Sequence, residues 1–252
     1  MQPFVAEVIG TALLILFGNG VVANVVLART KGHGGGWLLI TAGWGMGVFI
    51  GAFCAAAVSG AHLNPAVTVA MLIAGKMDAV SATSYILAQF IGACLGATLV
   101  YLHYHAHFES TEDGDAILSC FCTAPAIRRL RQAFVCEFIG TFALLLPIFL
   151  MASPSIQIES LEQAGIDGPV LGLGALGLLP VALLVVAIGM SLGGTTGYAI
   201  NPARDLGPRL IHCFLPIRGK RDSDWGYAWV PVLGPLAGGA AAALLYRFLL
   251  AA

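Results

Sequence analysis

Charged side chains are scarce in this sequence: Asp, Glu, Lys and Arg make up only 10% of its 252 residues. Soluble domains contain about 25% charged residues, so the scarcity excludes an ordinary soluble globular protein. The formal net charge of -1 gives no indication of a nucleic-acid partner. With 58% hydrophobic residues, the chain is predicted to be an integral protein of the lipid bilayer.

Reactive motifs are also missing. We find no Ser/His/Asp arrangement, phosphate-binding loop or cofactor fingerprint, which argues against an enzyme and predicts no cofactor. The six cysteines have no metal-finger spacing and lie mostly in apolar runs, so we interpret them as small core residues. His103, His105 and His107 could bind zinc or copper together with Cys120 and Cys122, but their spacing fits no known structural site. We predict a solvated loop there, without metal.

Apolar runs long enough to cross a hydrocarbon core of about 30 Å occur six times. They lie at about 4–28, 37–59, 81–104, 132–152, 170–190 and 228–250. Two shorter runs, at about 65–76 and 202–212, are predicted to be helices that cross only about half of that thickness. The remaining longer connections are predicted to be loops, at 105–131, 153–169 and 213–227.

The chain repeats itself, because residues 4–11 match residues 134–141. The same small-xxx-small spacing, which lets helices approach closely, occurs in the third and sixth spans at Gly92, Gly96, Gly234 and Gly238. Each half holds three spans and one half-span, and an odd number of crossings makes the second half enter from the opposite side. We therefore predict one membrane domain, 1–252, made of inverted repeats at about 1–115 and 130–252. Its two half-helices should meet N-terminus to N-terminus near the midplane.

The tripeptide Asn-Pro-Ala begins both predicted half-helices. It occurs at Asn64-Pro65-Ala66 and at Asn201-Pro202-Ala203. Asn is a preferred N-cap and Pro a preferred first helical residue, and each Asn should still direct an N–H group into a pore. The residues before each helix should be extended, with backbone carbonyls lining that pore. These residues are Gly60, Ala61, His62, Leu63, Gly197, Tyr198, Ala199 and Ile200.

Ionisable side chains in or beside the apolar segments need a reason, because they are costly in a membrane. Glu7 and Glu137 hold equivalent positions of the repeat and should each brace a re-entrant loop; a proton relay is the alternative. A guanidinium such as that of Arg204 costs at least ~2.5–3.5 kcal/mol in a span, so we expect it to line the pore. Asp205 should complement the dipole of its helix and also brace the adjacent loop, with a direct role in selectivity as the alternative. His62 should hydrogen-bond within its loop, with pH sensing as the alternative.

Residues 59–68 and 197–208 resemble the two signature loops of the aquaporin family, and the resemblance extends from about Phe4 to Tyr246. Features of its glycerol-facilitator (aquaglyceroporin) branch occur at Tyr104, Asp205, Arg209, Pro231 and Val232. The resemblance implies an all-α membrane protein with six spans and two re-entrant half-helices. It also implies a homotetramer with cytoplasmic N-termini, in the plasma membrane. Each protomer would conduct glycerol and other small neutral solutes, with some water, and exclude ions and protons.

By the same resemblance, the narrowest point of the pore is lined by Trp44, Gly189, Tyr198 and Arg204. Glycerol facilitators generally have Phe where this chain has Tyr198, so a preference for water, urea or undissociated lactic acid stays open. An ion-coupled transporter can also use inverted repeats and broken helices, with Glu7 or Glu137 carrying the ion.

Basic residues are distributed against the orientation that the resemblance implies. A cytoplasmic N-terminus leaves only Lys76 and Arg247 clearly on the inner side. The other basic residues of the loops would lie outside, at Arg29, Lys31, Arg128, Arg129, Arg131, Arg218, Lys220 and Arg221. The positive-inside rule alone favours the reverse orientation.

Overall fold

The computed structural model describes residues 1–151, 155–156 and 171–251. Its elements in chain order are α1 (Pro3–Val26), α2 (Gly36–Ser59), α3 (Pro65–Ile73), α4 (Ala79–Glu109), α5 (Gly114–Ser119), α6 (Leu130–Leu150), β1 (Ser155–Ile156), β2 (Leu171–Gly172), a 3-10 helix (Gly174–Leu178), α7 (Leu179–Leu192), a second 3-10 helix (Gly193–Thr195), α8 (Pro202–Phe214) and α9 (Val230–Ala251). The two-residue strands pair antiparallel, with Ser155 opposite Gly172 and Ile156 opposite Leu171.

Six helical segments of the described residues are long and apolar enough to cross a membrane. They are α1, α2, α4, α6, the continuous segment Gly174–Thr195 and α9. Helices α3 and α8 have only 9 and 13 residues, which corresponds to about 14 and 20 Å at ~1.5 Å per residue. The predicted all-α membrane fold, with six spans and two half-helices, is confirmed.

Two of the predicted boundaries were wrong. The third span continues to Glu109 instead of ending at 104, and it bends at Tyr104, whose φ of -102° and ψ of 15° are not helical. The fifth span begins at Gly174 rather than 170. Most of the loop predicted at 153–169 lies outside the described residues.

The connection between α4 and α6 is packed against the helices, so the predicted solvated loop was wrong. Cys120, Phe121 and Cys122 are buried in the hydrophobic core beside α5. Asn19 of α1 donates from Nδ2 to the carbonyl oxygen of Phe121 at 3.2 Å. The three histidines instead continue α4, at His103, His105 and His107. Within the described ranges, no three His, Cys, Asp or Glu side chains are grouped as metal ligands.

Close contacts between helices use the predicted glycines. A Cβ built on Gly96 of α4 would lie 2.5 Å from the carbonyl oxygen of Ala12 in α1. A Cβ built on Gly234 of α9 would lie 2.7 Å from the Cβ of Glu137 in α6. These distances leave no room for a side chain, so α4 lies directly against α1 and α9 lies directly against α6. The same kind of glycine contact therefore packs a neighbouring helix against α1, which carries Glu7, and against α6, which carries Glu137.

Candidate functional site

The N-termini of α3 and α8 face each other in the interior. Asn64 caps α3 by accepting the N–H of Ala66 at 2.8 Å, and its Nδ2 donates to the carbonyl oxygen of Ile200 at 2.8 Å. Asn201 caps α8 in the same way, and its Nδ2 donates to the carbonyl oxygen of Leu63 at 2.8 Å. Each amide nitrogen carries a second N–H, which these two crossed bonds leave available. The sequence predicted the caps but not the crossed bonds.

We had predicted that the stretches before the half-helices are extended, but this was wrong. Positive φ values occur at Gly60 (80°), Ala61 (53°) and Leu63 (52°), and at Gly197 (81°), Tyr198 (38°) and Ile200 (44°). From Ala61 and from Tyr198 onward, every second residue is therefore left-handed. In an extended strand, successive peptide groups point to opposite sides; a left-handed residue at every second position turns them to the same side. Each such residue costs of order 1–3 kcal/mol, so its surroundings must hold it in place.

Glu7 binds the N–H side of the first stretch. One carboxylate oxygen accepts the hydroxyl of Ser59 at 2.6 Å and the N–H of His62 at 2.9 Å. The other accepts the N–H of Leu63 at 2.7 Å and Nε2 of Gln89 at 2.8 Å. Since the C=O and N–H of a trans peptide group point in opposite directions, the carbonyl oxygens of Ala61 and His62 are directed away from Glu7.

Glu137 makes the equivalent contacts in the second half. Its carboxylate accepts the N–H groups of Ala199 at 3.0 Å and Ile200 at 2.8 Å, and both buried glutamates are fully inaccessible to solvent. In the part of the chain that the structure describes, no donor bonds to the carbonyl oxygens of Gly60, Ala61, His62, Gly197, Tyr198 and Ala199. Unpaired backbone acceptors are tolerated at membrane depth only where they line a polar cavity.

His62 contacts more than its own loop. Its Nδ1 lies 3.1 Å from Oγ1 of Thr68 in α3, and its ring lies edge-on to Tyr85 of α4, with 5.2 Å between the ring centroids. The predicted hydrogen bond within the loop is therefore replaced by one to the half-helix. His62 also lines the cavity on this side of the molecule.

Two cavities meet in the interior. The first, of about 380 Å³, is lined on one side by the two loop stretches and both asparagines. The rest of its lining is largely apolar and includes Leu14, Val48, Val67, Leu144, Ile148 and Val185. The second cavity, of about 710 Å³, has charged residues in its lining, at Asp115, Arg128, Arg221 and Asp224. Trp44, Tyr198 and Arg204 line both cavities, which places these three side chains at the junction.

The junction combines a cation with aromatic rings. Cζ of Arg204 lies 4.0 Å from the ring centroid of Trp44, within the range of a cation–π interaction. Among the described residues, none accepts a hydrogen bond from the guanidinium of Arg204, so its five donors are available to a molecule in the cavities. The hydroxyl of Tyr198 is buried and has no hydrogen-bond partner in the described part of the protein.

Gly189 is not among the lining residues of either cavity but lies directly against Tyr198, which lines both, and its place in the narrowest ring stays a prediction. A Cβ built on Gly189 would lie 2.8 Å from Cζ and 2.9 Å from Oη of Tyr198. The Tyr198 ring therefore occupies the space that a side chain at 189 would need. The carbonyl oxygen of Gly189 accepts the indole N–H of Trp37 at 2.9 Å, which fixes this part of α7 against α2.

Charged side chains hold α8 and the loops around it. Asp205 accepts the backbone N–H of Thr123 at 2.8 Å and its hydroxyl at 2.6 Å, and Nε of Arg209 at 2.9 Å. Of its two predicted roles, these contacts fit the brace of an adjacent loop. Farther out, Arg128 forms two hydrogen bonds of 2.7 Å with Asp224. These bonds hold the pKa of the Asp224 carboxyl below its ordinary value.

Six membrane spans and two opposed half-helices beside an internal cavity are the architecture of an aquaporin-type membrane protein. The sequence profile of the major intrinsic protein family matches residues 1–246, and the chain belongs to that family. It is 48% identical over 249 residues to a probable glycerol uptake facilitator protein of Thermotoga maritima, covering 99% of this chain and 100% of that one. It is 47% identical over 246 residues to a glycerol uptake facilitator protein of Streptococcus pneumoniae, covering 98% of each.

The aquaglyceroporin from Plasmodium falciparum has a similar structure, with a TM-score of 0.79 and 32% sequence identity, covering 98% of this chain and 95% of that one. These findings confirm the resemblance to the glycerol-facilitator branch that the motifs indicated.

Proposed function

We propose that the protein is a passive channel for glycerol and other small neutral solutes, with some water. The observation that carries this proposal is the mixed lining of the inner cavity, which combines the two stretches with unpaired carbonyl oxygens and many aliphatic side chains. A linear polyol has hydroxyl groups along one edge and C–H groups along the other, so it fits such a lining without losing hydrogen bonds. The names of the relatives support the same solute class.

Ions and protons would be excluded at the junction of the cavities. Arg204 places a fixed positive charge there, and the N-termini of α3 and α8 add partial positive charge below it. The guanidinium and the second N–H groups of Asn64 and Asn201 would donate to solute hydroxyls, while Trp44 and Tyr198 contact the C–H side. Gly60 to Leu63 and Gly197 to Ile200 would supply the acceptors.

The remaining residues of the site would act indirectly. Glu7 and Glu137 would hold the carbonyl-lined stretches, and Asp205 would hold the loop above α8. None of these roles requires a covalent step, which is why we propose a channel and not an enzyme.

The chain would form one channel domain of two inverted repeats, assembled as a homotetramer in the plasma membrane with cytoplasmic N-termini. The family resemblance supports this arrangement. The distribution of basic residues in the loops favours the opposite orientation, with the N-termini outside. Light scattering of the detergent-solubilised protein tests the tetramer. Cys213, which is exposed at the end of α8, tests the orientation: a membrane-impermeant maleimide should label it in intact cells, and labelling only after lysis would reverse the orientation.

Stopped-flow light scattering on proteoliposomes tests the function, with protein-free liposomes as the control. Glycerol should enter much faster than in the control, and sucrose should not. Urea and lactic acid at low pH, run in parallel, identify the preferred solute. A glycerol rate equal to the control would contradict the proposal. Dependence of the rate on sodium or on a protonophore would instead support the ion-coupled transporter.

A further inference from the structure

The ring of Trp44 is in contact with two parts of the molecule. One is the Arg204 guanidinium, with 4.0 Å between Cζ and the ring centroid. The other is Gly18 of α1: a Cβ built there would overlap Cε3 and Cζ3 of the indole and lie 2.6 Å from its Cη2. Gly18 itself is absent from the lining of both cavities.

Helices α1 and α2 would lose close backbone packing if they moved apart at this level. A Cβ built on Gly47 of α2 would lie 3.3 Å from the backbone nitrogen of Gly18 and 3.1 Å from the carbonyl oxygen of Leu14. The two backbones are thus already in close contact beside the ring. Since packed interiors accommodate an added methyl group by shifting side chains, the indole of Trp44 is the group that would move.

We propose that Gly18 is a positioning residue that sets the width of the junction between Trp44 and Arg204. This inference rests on the proposed channel function. The missing side chain at Gly18 lets the indole lie back against α1. An added Cβ pushes the ring toward Arg204 and narrows the passage from a side that solute never touches.

The other aromatic ring at the junction has the same arrangement. Besides Gly189, Gly193 lies against Tyr198: a Cβ built on Gly193 would lie 3.0 Å from Cε1 of that ring. Both aromatic walls of the passage therefore lie against glycines. The Trp44 side has the sharper test, because Gly20 follows two residues later in α1 and a Cβ there meets nothing within 4 Å.

The experiment measures glycerol and water permeability of proteoliposomes containing wild type, Gly18→Ala, Gly20→Ala, Trp44→Phe and the double variant Gly18→Ala/Trp44→Phe. We expect Gly18→Ala to lower glycerol permeability about tenfold, which equals ~1.4 kcal/mol of barrier, and to lower water permeability much less. Gly20→Ala should match wild type. In the Trp44→Phe background, Gly18→Ala should have no further effect, because the smaller ring lacks the atoms that meet the new Cβ.

Several outcomes would overturn the inference. They are a folded Gly18→Ala with the wild-type ratio of glycerol to water permeability, an equal loss in both backgrounds, and failure of both Gly18→Ala and the double variant to fold. If Gly18→Ala fails to fold but the double variant folds and conducts like Trp44→Phe, the overlap with the ring is supported. A wild type that passes water but not glycerol would contradict the proposed function instead. The inference would then be judged on water permeability, which Gly18→Ala should lower.

Discussion

Half-helix α3 is held mainly by apolar contacts and by the polar cluster around Glu7, whereas α8 is held by a buried ion pair. The third residue after the capping asparagine is Val67 in α3 and Arg204 in α8. The first turn of α8 also carries Asp205, which pairs with Arg209 one turn later. The backbone around the two asparagines is nevertheless equivalent. What the two halves must share is therefore a carboxylate that binds two consecutive N–H groups, while the chemistry around it is free to differ.

The supports of the two glutamates differ as well. Glu7 receives side-chain donors from Ser59 and Gln89 in addition to two N–H groups, whereas Glu137 has one side-chain partner, Thr196. When Gly92 of α4 is aligned with Gly234 of α9, the counterpart of Gln89 is Pro231, which has no donor. The first loop is thus tied to α4 through a side chain, and the second is tied to the outer loops through Asp205.

Replacing the glutamates should have the largest effect on stability, and the effect should differ between the two halves. At ~1–3 kcal/mol for each donor left unsatisfied, Glu7→Leu should cost about 4 kcal/mol or more of unfolding free energy, and Glu137→Leu about three quarters of that. Thermal unfolding in detergent measures both. The control variants Glu7→Gln and Glu137→Gln keep one acceptor oxygen and should remain folded and conducting. Equal losses for the two leucine variants would show that the extra donors of Glu7 contribute nothing.

Breaking the ion pair should affect only the second half. Asp205→Leu leaves the buried Arg209 without its carboxylate and should cost ~3–5 kcal/mol of unfolding free energy. The matched control is Asp222→Ala, which removes an exposed partner of Arg221 and should cost less than ~1 kcal/mol. A similar melting temperature for both variants would mean that the buried pair does not anchor α8.

Removing the charge of Arg204 at the junction should weaken the exclusion of protons more than it changes the stability of the protein. Arg204→Ala should raise proton leakage into proteoliposomes, measured with a pH-sensitive dye, roughly tenfold, since about one charge interaction of ~1.4 kcal/mol is lost from the barrier. Val67→Ala, at the equivalent position of α3, removes no charge and should leave the leak at the wild-type level. An unchanged leak in Arg204→Ala would show that the half-helices alone exclude protons.

The smallest effect is expected at Tyr198, whose counterpart in the first loop is Ala61. An unpartnered buried hydroxyl costs ~1–3 kcal/mol, so Tyr198→Phe should raise the free energy of unfolding by about 1 kcal/mol. The ratio of glycerol to water permeability should change only slightly, because the ring keeps its place against Gly189. A destabilised Tyr198→Phe would indicate that the hydroxyl has a partner in the membrane.

Local sequence was sufficient to predict the membrane spans and the half-helices of both halves. The apolar runs predicted six spans, and the Asn-Pro-Ala tripeptides predicted both half-helices, because capping and membrane crossing depend on adjacent residues. The crossed bonds from Asn64 to Ile200 and from Asn201 to Leu63 join residues more than 130 positions apart, so no local pattern indicates them. The packing of the segment around Cys120 against the helices was missed for the same reason, since the bond from Asn19 to Phe121 joins residues 102 positions apart. The contact between Gly189 and the Tyr198 ring was not predicted either, because the sequence does not show which way that ring turns.

The row of acceptors along the cavity consists of main-chain oxygens, and this limits how the protein can change. Every amino acid, proline included, keeps its carbonyl group, so no single substitution at residues 60–62 or 197–199 can delete an acceptor. Genetic variation can only displace the row, through its supports at Glu7 and Glu137, or alter the aliphatic wall that faces it. Solute preference in related chains should therefore diverge through the wall and the junction, while the hydroxyl-binding side stays chemically the same.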